Sequence, residues 1–276
     1  MEIYKNSQDK TFATPEVERM IPEVYRKSFT IIIPAYNEIK RISPVLNDVC
    51  SFIYENDLPW EVIVSIDGND GTDNLVNEMI IRFPFLTYTK GKGRDGKGAA
   101  IKRAISIASG EYFIVMDADN SVSFREIYVA IPEIENNDVV ILERYSSERN
   151  QIPFLRRFAS RGFNILVQSL LGLRVTDTQS GYKIMRSELA KRSFDSMTVT
   201  NTFFDVAFLF KVKQLGGRIK EKPVVYSHDG ESKFNVVSEV FGQGMSLLAF
   251  RIRYSPIYKH IPESLKNLYY KKFRWI

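Results

Sequence analysis

Residues 111–121 read EYFIVMDADNS: five apolar or aromatic side chains from Tyr112 to Met116, then two carboxylates, Asp117 and Asp119, flanking Ala118. An unbroken apolar run of this length suits a strand covered on both faces, as in a parallel sheet sandwiched between helices. Ligands of such open α/β sheets collect just beyond the carboxyl ends of the strands. The Asp-x-Asp pair stands at that position, and its oxygens suit one hard divalent cation whose shell is completed by phosphate oxygens and water. A solvated loop bearing two acids is the other reading of the same residues.

On the amino-terminal side the same unit repeats. Residues 29–33, FTIII, predict a short buried strand stopped by Pro34, after which Ile39, Ile42, Val45, Leu46, Val49, Phe52 and Ile53 recur at helical spacing. Glu61 to Ile66 predicts a second strand, ending in Asp67-Gly68, and Leu75, Val76, Met79, Ile80 and Phe83 mark the next helix. Leu86 to Lys90 predicts a third strand, followed by the glycine-rich, cationic stretch GKGRDGKG (91–98) and a helical repeat of Ala100, Ile101, Ala104, Ile105 and Ala108. Glycines let a backbone approach a phosphate closely, and Lys97 or Arg94 would neutralise it, although the GxxxxGK[ST] spacing of a nucleotide-triphosphatase loop is absent. After the DAD segment, Phe124 to Ile134 suggests a helix and Asp138 to Leu142 a fifth strand. This alternation predicts a mostly parallel sheet with helices on both faces.

Beyond Glu143 the alternation stops. Arg144, Arg149, Arg156, Arg157 and Arg161 crowd the entrance to an apolar helix, either as a solvated basic face or as an anion site built from guanidinium forks. TDTQSGYKIM (176–185) follows, then a helix from about Thr202 to Leu215, a strand near Ile219 to Tyr226 and a glycine turn, HDGESKF (228–234).

With 276 residues and 44% hydrophobic content, the chain can bury a large core. Cys50, the one cysteine, lies on an apolar-periodic stretch and suits a small core residue, which rules out an intrachain disulfide scaffold. No run approaches the ~18 apolar residues of a membrane span, and Met1 to Ser28 is too charged for a signal peptide, so a cytoplasmic protein is expected. The first 28 residues mix acids and bases evenly around Pro15 and Pro22 and suggest a loosely packed arm. The net charge of +5 is concentrated in residues 234–276, where seven Lys/Arg face only Glu239 and Glu263 among Phe, Tyr and Trp side chains. No nucleic-acid module is recognisable, so nucleic acid is not expected as a partner. An anionic membrane surface is, through two amphipathic pieces ending in 257–276.

In one continuous order the chain carries IIIPAYNE (31–38), EVIVSIDGNDGT (61–72), GKGAAI, MDADN, SRGFN (160–164), TDTQSGYK (176–183), FFDVAFLF and GESKF. Across residues 29–254 it thereby resembles family-2 glycosyltransferases, most nearly the dolichyl-phosphate glucosyltransferases and next the dolichyl-phosphate mannose synthases. The resemblance implies an α/β fold: a single Rossmann-like, nucleotide-sugar-binding domain of the glycosyltransferase A type at 29–233, followed by basic amphipathic helices at 234–276. Pro34, Ala35, Tyr36, Glu38, Asp67 and Ala118 are then expected around the nucleotide. Asp117 and Asp119 would hold Mg²⁺ or Mn²⁺ on the diphosphate, Lys97 would neutralise it, and Gln179, Ser232 and Lys233 would meet sugar or diphosphate. Arg144, Arg156 and Ser160 match family positions that grip an acceptor phosphate.

The implied reaction is metal-dependent, inverting transfer of glucose from UDP-glucose to dolichyl (polyprenyl) phosphate, by an enzyme lying peripherally on the cytoplasmic face of a membrane. GDP-mannose as donor, a saccharide or protein hydroxyl as acceptor, and a nucleotide-sugar-binding scaffold without activity are the alternatives. A phosphate acceptor arrives ionised, whereas a hydroxyl acceptor needs a general base, for which Asp177 or Asp205 is the candidate. Both acids would equally suit structural caps, Asp177 of the DTQSG turn and Asp205 of a helix start.

Overall fold

The computed structural model describes residues 22–147, 150, 152, 154–197, 199, 201, 203–227 and 236–264. The first half folds as its periodicity dictates, in βα units: β1 (Phe29–Tyr36), α1 (Ile42–Glu55), β2 (Glu61–Asp67), α2 (Thr72–Ile80), β3 (Leu86–Lys90), α3 (Lys97–Ile105) and β4 (Tyr112–Val115). Then follow α4 (Phe124–Ala130), β5 (Val139–Glu143), α5 (Phe154–Leu171), β6 (Lys183–Arg186), α6 (Ser187–Asp195), α7 (Phe204–Gln214), β7 (Ile219–Pro223) and α8 (Val236–Arg253). The strands form one seven-stranded sheet in the order β3-β2-β1-β4-β6-β5-β7. All neighbours pair in parallel except β6, which runs antiparallel to both β4 and β5.

The apolar runs exist because the sheet is buried on both sides. Ile31, Ile33, Val62, Val64, Tyr112 and Ile114 point into one core with α1, while Ile32, Ile63, Phe113 and Val115 point into the other with α3, α5, α7 and α8. A side chain such as Ile32, wholly enclosed, would cost about 2–5 kcal/mol if cut to alanine, because the cavity cannot collapse inside a packed layer. Cys50 and Trp60 are buried in the first core. Trp60 Nε1 donates to the Tyr25 carbonyl at 2.9 Å, and the Tyr25 ring stacks on Tyr128 at 4.1 Å, so the chain is tied to the domain from residue 22 onward.

Two local expectations are corrected, and one strand appears where none was expected. Pro34 does not stop β1: pairing with β4 ends at Ile32–Val115, so its missing N–H removes no ladder bond on that side, and pairing with β2 continues to Tyr36–Asp67. The helix expected over 124–134 changes to a 3-10 turn at Ile131–Glu135, where Pro132 denies the α-helix a donor. Finally, YKIMR contains the strand β6, which carries a lysine on a buried face and so lacks the apolar alternation that would mark it.

Helix α8 packs against α5, and its Leu247 and Phe250 enter the second core, where Phe250 meets Phe203 at 5.3 Å and Phe210 at 5.4 Å. The 234–276 segment thus begins with a helix that shares the domain's core, while 265–276 lie outside the described residues. Among the described residues no helix is long and apolar enough to cross a membrane.

Candidate active site

Parallel strands β1, β2 and β4 end on the same edge of the sheet, and their loops form the crevice. Asn37, just past β1, holds a left-handed backbone (φ 56°), and its Oδ1 accepts the Asn69 N–H at 3.2 Å. Asp70 accepts the Ile39 N–H at 3.0 Å and the Thr72 hydroxyl at 2.6 Å, so the β1 and β2 loops are fastened to each other. Tyr36 is 43% exposed, with the Arg94 guanidinium 4.8 Å above its ring. Pro34 is half-buried and Ala35 buried behind it. Glu38 holds Arg41 through two bonds of 2.7 and 2.8 Å; burial raises its pKa, against the pull of Arg41.

Asp67, at the end of β2, is buried with both oxygens engaged. Oδ1 accepts Arg103 at 2.7 Å and Oδ2 accepts the Asp95 N–H at 2.9 Å. Arg103 also reaches Asp95 at 3.2 Å, so helix α3 ties the glycine-rich loop to the β2 end. Gly91 permits this closeness, since a Cβ there would run into Asp67, Asp95 and Arg103 together.

Beyond β4, Asp117 and Asp119 stand two residues apart, with buried Ala118 between them. Lys97, the first residue of α3, ion-pairs with Asp117 Oδ1. The Gly181 backbone lies against the same carboxylate, which a Cβ would overlap. Asp119 Oδ1 accepts the Ser121 N–H at 3.0 Å and the Tyr182 hydroxyl at 3.3 Å. Burial alone would raise the Asp117 pKa, but Lys97, with Arg144 and Lys183 further off, holds it below the usual aspartate value. Burial would likewise lower Lys97, yet Asp117 and Asp205 outweigh it and its pKa is raised. Two hard carboxylates on one turn fit a divalent cation that takes its remaining ligands from phosphate and water. Among the described residues no third His, Cys, Asp or Glu joins them.

Opposite this pair, the residues after β5 form a second charged layer. Arg144 lies in a bidentate pair with Asp177, at 2.8 Å from Nε and 2.9 Å from Nη2, and its N–H adds a bond of 3.2 Å to the same carboxylate. Its guanidinium lies 5.7 and 5.6 Å from the rings of Tyr145 and Tyr226. Glu221 accepts the Thr176 and Asp177 N–H groups at 2.8 and 2.9 Å, and Asn164 of α5 donates to the Thr176 carbonyl at 2.7 Å. Lys183 pairs with Asp205, with both side chains buried, and also donates to the Ser180 carbonyl. Ser160 Oγ accepts from Asn164 at 3.4 Å, and Gln179 is half-buried on the adjoining turn. Arg156 belongs to α5 with its side chain outside the described residues, and Ser232 and Lys233 lie outside the described residues altogether.

Electrostatic reach from Arg144, Lys97, Lys183 and Asp205 to the Asp117 neighbourhood gathers these groups into one site. Arg103, Tyr182, Lys183 and Glu221 were not singled out by sequence. Tyr182 and Lys183 stand inside the GYK of the TDTQSGYK motif, the one signal that pointed near them.

A switch-point crevice edged by strand-end carboxylates, on a mostly parallel seven-stranded sheet, is the nucleotide-sugar-binding fold of the glycosyltransferase A class. Within that class, the chain belongs to glycosyl transferase family 2, whose model matches residues 30–194. It is a glycosyltransferase. A dolichyl-phosphate beta-glucosyltransferase of Dictyostelium discoideum is 28% identical over 274 residues, spanning 92% of this chain and 82% of the relative. In fold the chain is similar to mannosyl-3-phosphoglycerate synthase of Rubrobacter xylanophilus (TM-score 0.66, 16% identity, 90% of this chain and 85% of that one). It is also similar to glucosyl-3-phosphoglycerate synthase of Mycobacterium tuberculosis, solved with Mn²⁺, UDP-glucose and phosphoglyceric acid (TM-score 0.60, 15% identity, 89% and 85%).

Proposed function

We propose that the protein transfers glucose from UDP-glucose to a polyprenyl phosphate of the dolichyl type, with inversion, using Mg²⁺ or Mn²⁺. The observation that carries this reading is that both candidate bases are already committed: Asp177 to Arg144 and Asp205 to Lys183, in buried pairs. Among the described residues, an acceptor hydroxyl would find no uncommitted carboxylate in that layer to take its proton. A phosphate monoester, with a second pKa near ~6, is largely dianionic at neutral pH and attacks without a base. The relatives whose names specify dolichyl phosphate as acceptor agree with this chemistry.

Asp117 and Asp119 would hold the divalent ion, which supplies charge neutralisation for the leaving diphosphate. Lys97 moves from Asp117 onto the diphosphate oxygens and shares that neutralisation. Tyr36, with Arg94 above it, offers the flat surface on which a nucleobase stacks, and Asp67 with Glu38 orders the loops around the ribose. Gln179, Ser232 and Lys233 are assigned to sugar or diphosphate. Arg144, aligned by Asp177, presents its remaining nitrogen to the acceptor phosphate, to which Arg156 and Ser160 are also assigned. These groups orient the dianion and leave it nucleophilic, since a directed hydrogen bond costs less nucleophilicity than a proton.

A lipid-linked acceptor keeps its phosphate at headgroup depth, so the site must meet a membrane surface. The outer faces of α5 and α8 expose Phe158, Ile165 and Leu166, and Leu248 and Ile252, next to exposed Arg161 and Arg251. Both helices press their other faces into the second core, so these side chains point away from it. An apolar face rimmed with cations suits an anionic leaflet, and contact from the cytoplasmic side agrees with a single, buried, unpaired cysteine. The deciding experiment offers radiolabelled UDP-glucose, GDP-mannose and other nucleotide sugars with a polyprenyl phosphate, Mg²⁺ and Mn²⁺. Label from UDP-glucose alone should enter the organic phase, and label passing only to water or to a soluble saccharide overturns the reading.

A further inference from the structure

We propose that Lys97 closes the cation site of the free protein, so that a divalent ion and a nucleoside diphosphate bind as one unit and neither binds well alone. This rests on the assignment of Asp117 and Asp119 to the cation. The ammonium of Lys97 sits on Asp117 Oδ1, and the Gly181 backbone covers the same carboxylate from another side. Asp119 has Oδ1 committed to Ser121 and Tyr182. A bare cation therefore meets two partly used carboxylates, a positive charge already in contact with one of them, and no third acidic ligand among the described residues. To enter, it must displace Lys97, which among the described residues has no comparable free partner: Asp205, the next acid acting on it, is taken by Lys183.

A diphosphate changes both terms at once. It supplies oxygens to complete the cation's shell, and it gives Lys97 a polyanion within reach of a flexible four-carbon stem. Lys97 starts α3 directly after Gly96, whose φ of 96° turns the chain into the helix, so its backbone stays anchored while the side chain swings. The ammonium then leaves Asp117 as the cation arrives. Coupling of this kind is reciprocal: the factor by which nucleotide tightens the cation equals the factor by which the cation tightens nucleotide.

A lysine that merely contacts phosphate and a lysine that also blocks the cation predict opposite signs for one measurement. Mn²⁺ binding, followed by the electron paramagnetic resonance of the free ion, is compared in wild type, Lys97→Met, Lys97→Ala and Asp119→Asn, with and without UDP and corrected for Mn²⁺ held by UDP in solution. Thermal melting first confirms that each variant is folded. In wild type, UDP should tighten Mn²⁺ by about tenfold or more, within the usual range of site coupling. In both Lys97 variants Mn²⁺ alone should bind several-fold tighter than in wild type, while the effect of UDP shrinks and UDP itself binds more weakly. Unchanged or weaker Mn²⁺ binding by the Lys97 variants in the absence of UDP overturns the proposal while leaving the cation site standing. If Asp119→Asn binds Mn²⁺ with UDP as well as wild type does, the cation assignment itself fails.

Discussion

Replacing Asp177 by asparagine separates positioning from catalysis by a general base. The carboxylate is 1% exposed and takes two guanidinium bonds of 2.8 and 2.9 Å from Arg144, whose own side chain is 13% exposed. Asparagine keeps the shape and one acceptor but removes the charge, leaving the guanidinium enclosed without its counter-ion. Breaking a buried pair from one side costs about 3–5 kcal/mol, and the retained amide puts this case near 3. For a chain of this size that corresponds to a fall in Tm of roughly 6–12 °C, at about 2–4 °C per kcal/mol. The variant should therefore fold, melt early, and present Arg144 loosely. Initial rates with UDP-glucose and polyprenyl phosphate should show the acceptor KM raised by about tenfold or more, since a misplaced binding group costs at least that. Donor affinity measured by calorimetry should stay near wild type, and Arg144→Ala should give the same pattern. A base mechanism predicts instead an unchanged acceptor KM, a kcat reduced by about 10²–10⁴-fold and a flattened pH–rate profile. That second pattern in a folded Asp177→Asn protein would refute the positioning role and reopen the hydroxyl-acceptor alternative.

Other consequences are open to direct measurement. Gly181→Ala places a methyl group on the Asp117 carboxylate, so transfer should fall by about a hundredfold with little change in far-ultraviolet circular dichroism; near-normal rates would mean that Asp117 tolerates displacement. Because the Asp117 pKa is held below the usual 3.8, the folded state gains stability above that value and loses it as pH drops through the lowered one. Thermal melts of wild type and Asp117→Asn should accordingly differ near neutrality and converge as the pH is lowered, and a gap that does not narrow in acid would contradict the pairing with Lys97. Ile165→Glu with Leu166→Glu should abolish co-sedimentation with anionic liposomes and formation of lipid-linked product while leaving UDP binding intact. If only deletion of 257–276 has that effect, the membrane contact belongs to the carboxyl-terminal segment.

Much of this architecture was legible because its causes are local. A strand enclosed on both faces needs an unbroken apolar run, and a helix laid on a sheet needs a stripe of period 3.6, so FTIII, EVIVSI and YFIVM with their intervening helices announce themselves along the chain. The placement of Asp67 and Asp117 at strand ends follows from the same count, as does the glycine-rich turn before Lys97. Pairing across the fold has no such local cause. That β6 slips antiparallel between β4 and β5 depends on where the chain returns after α5, and a four-residue strand with a buried lysine leaves no periodic trace. The same holds for charge. Sequence supplies an aspartate at 177 and another at 205, each able to serve as base, cap or counter-ion. Only the packing of β5, β6 and α7 puts Arg144 within 2.8 Å of the first and Lys183 against the second. A carboxylate's chemistry depends on which charge lies within a few ångströms, a distance set by contacts between residues far apart in the chain, and so it is the tertiary structure that pairs each of the two candidate bases with a particular cation.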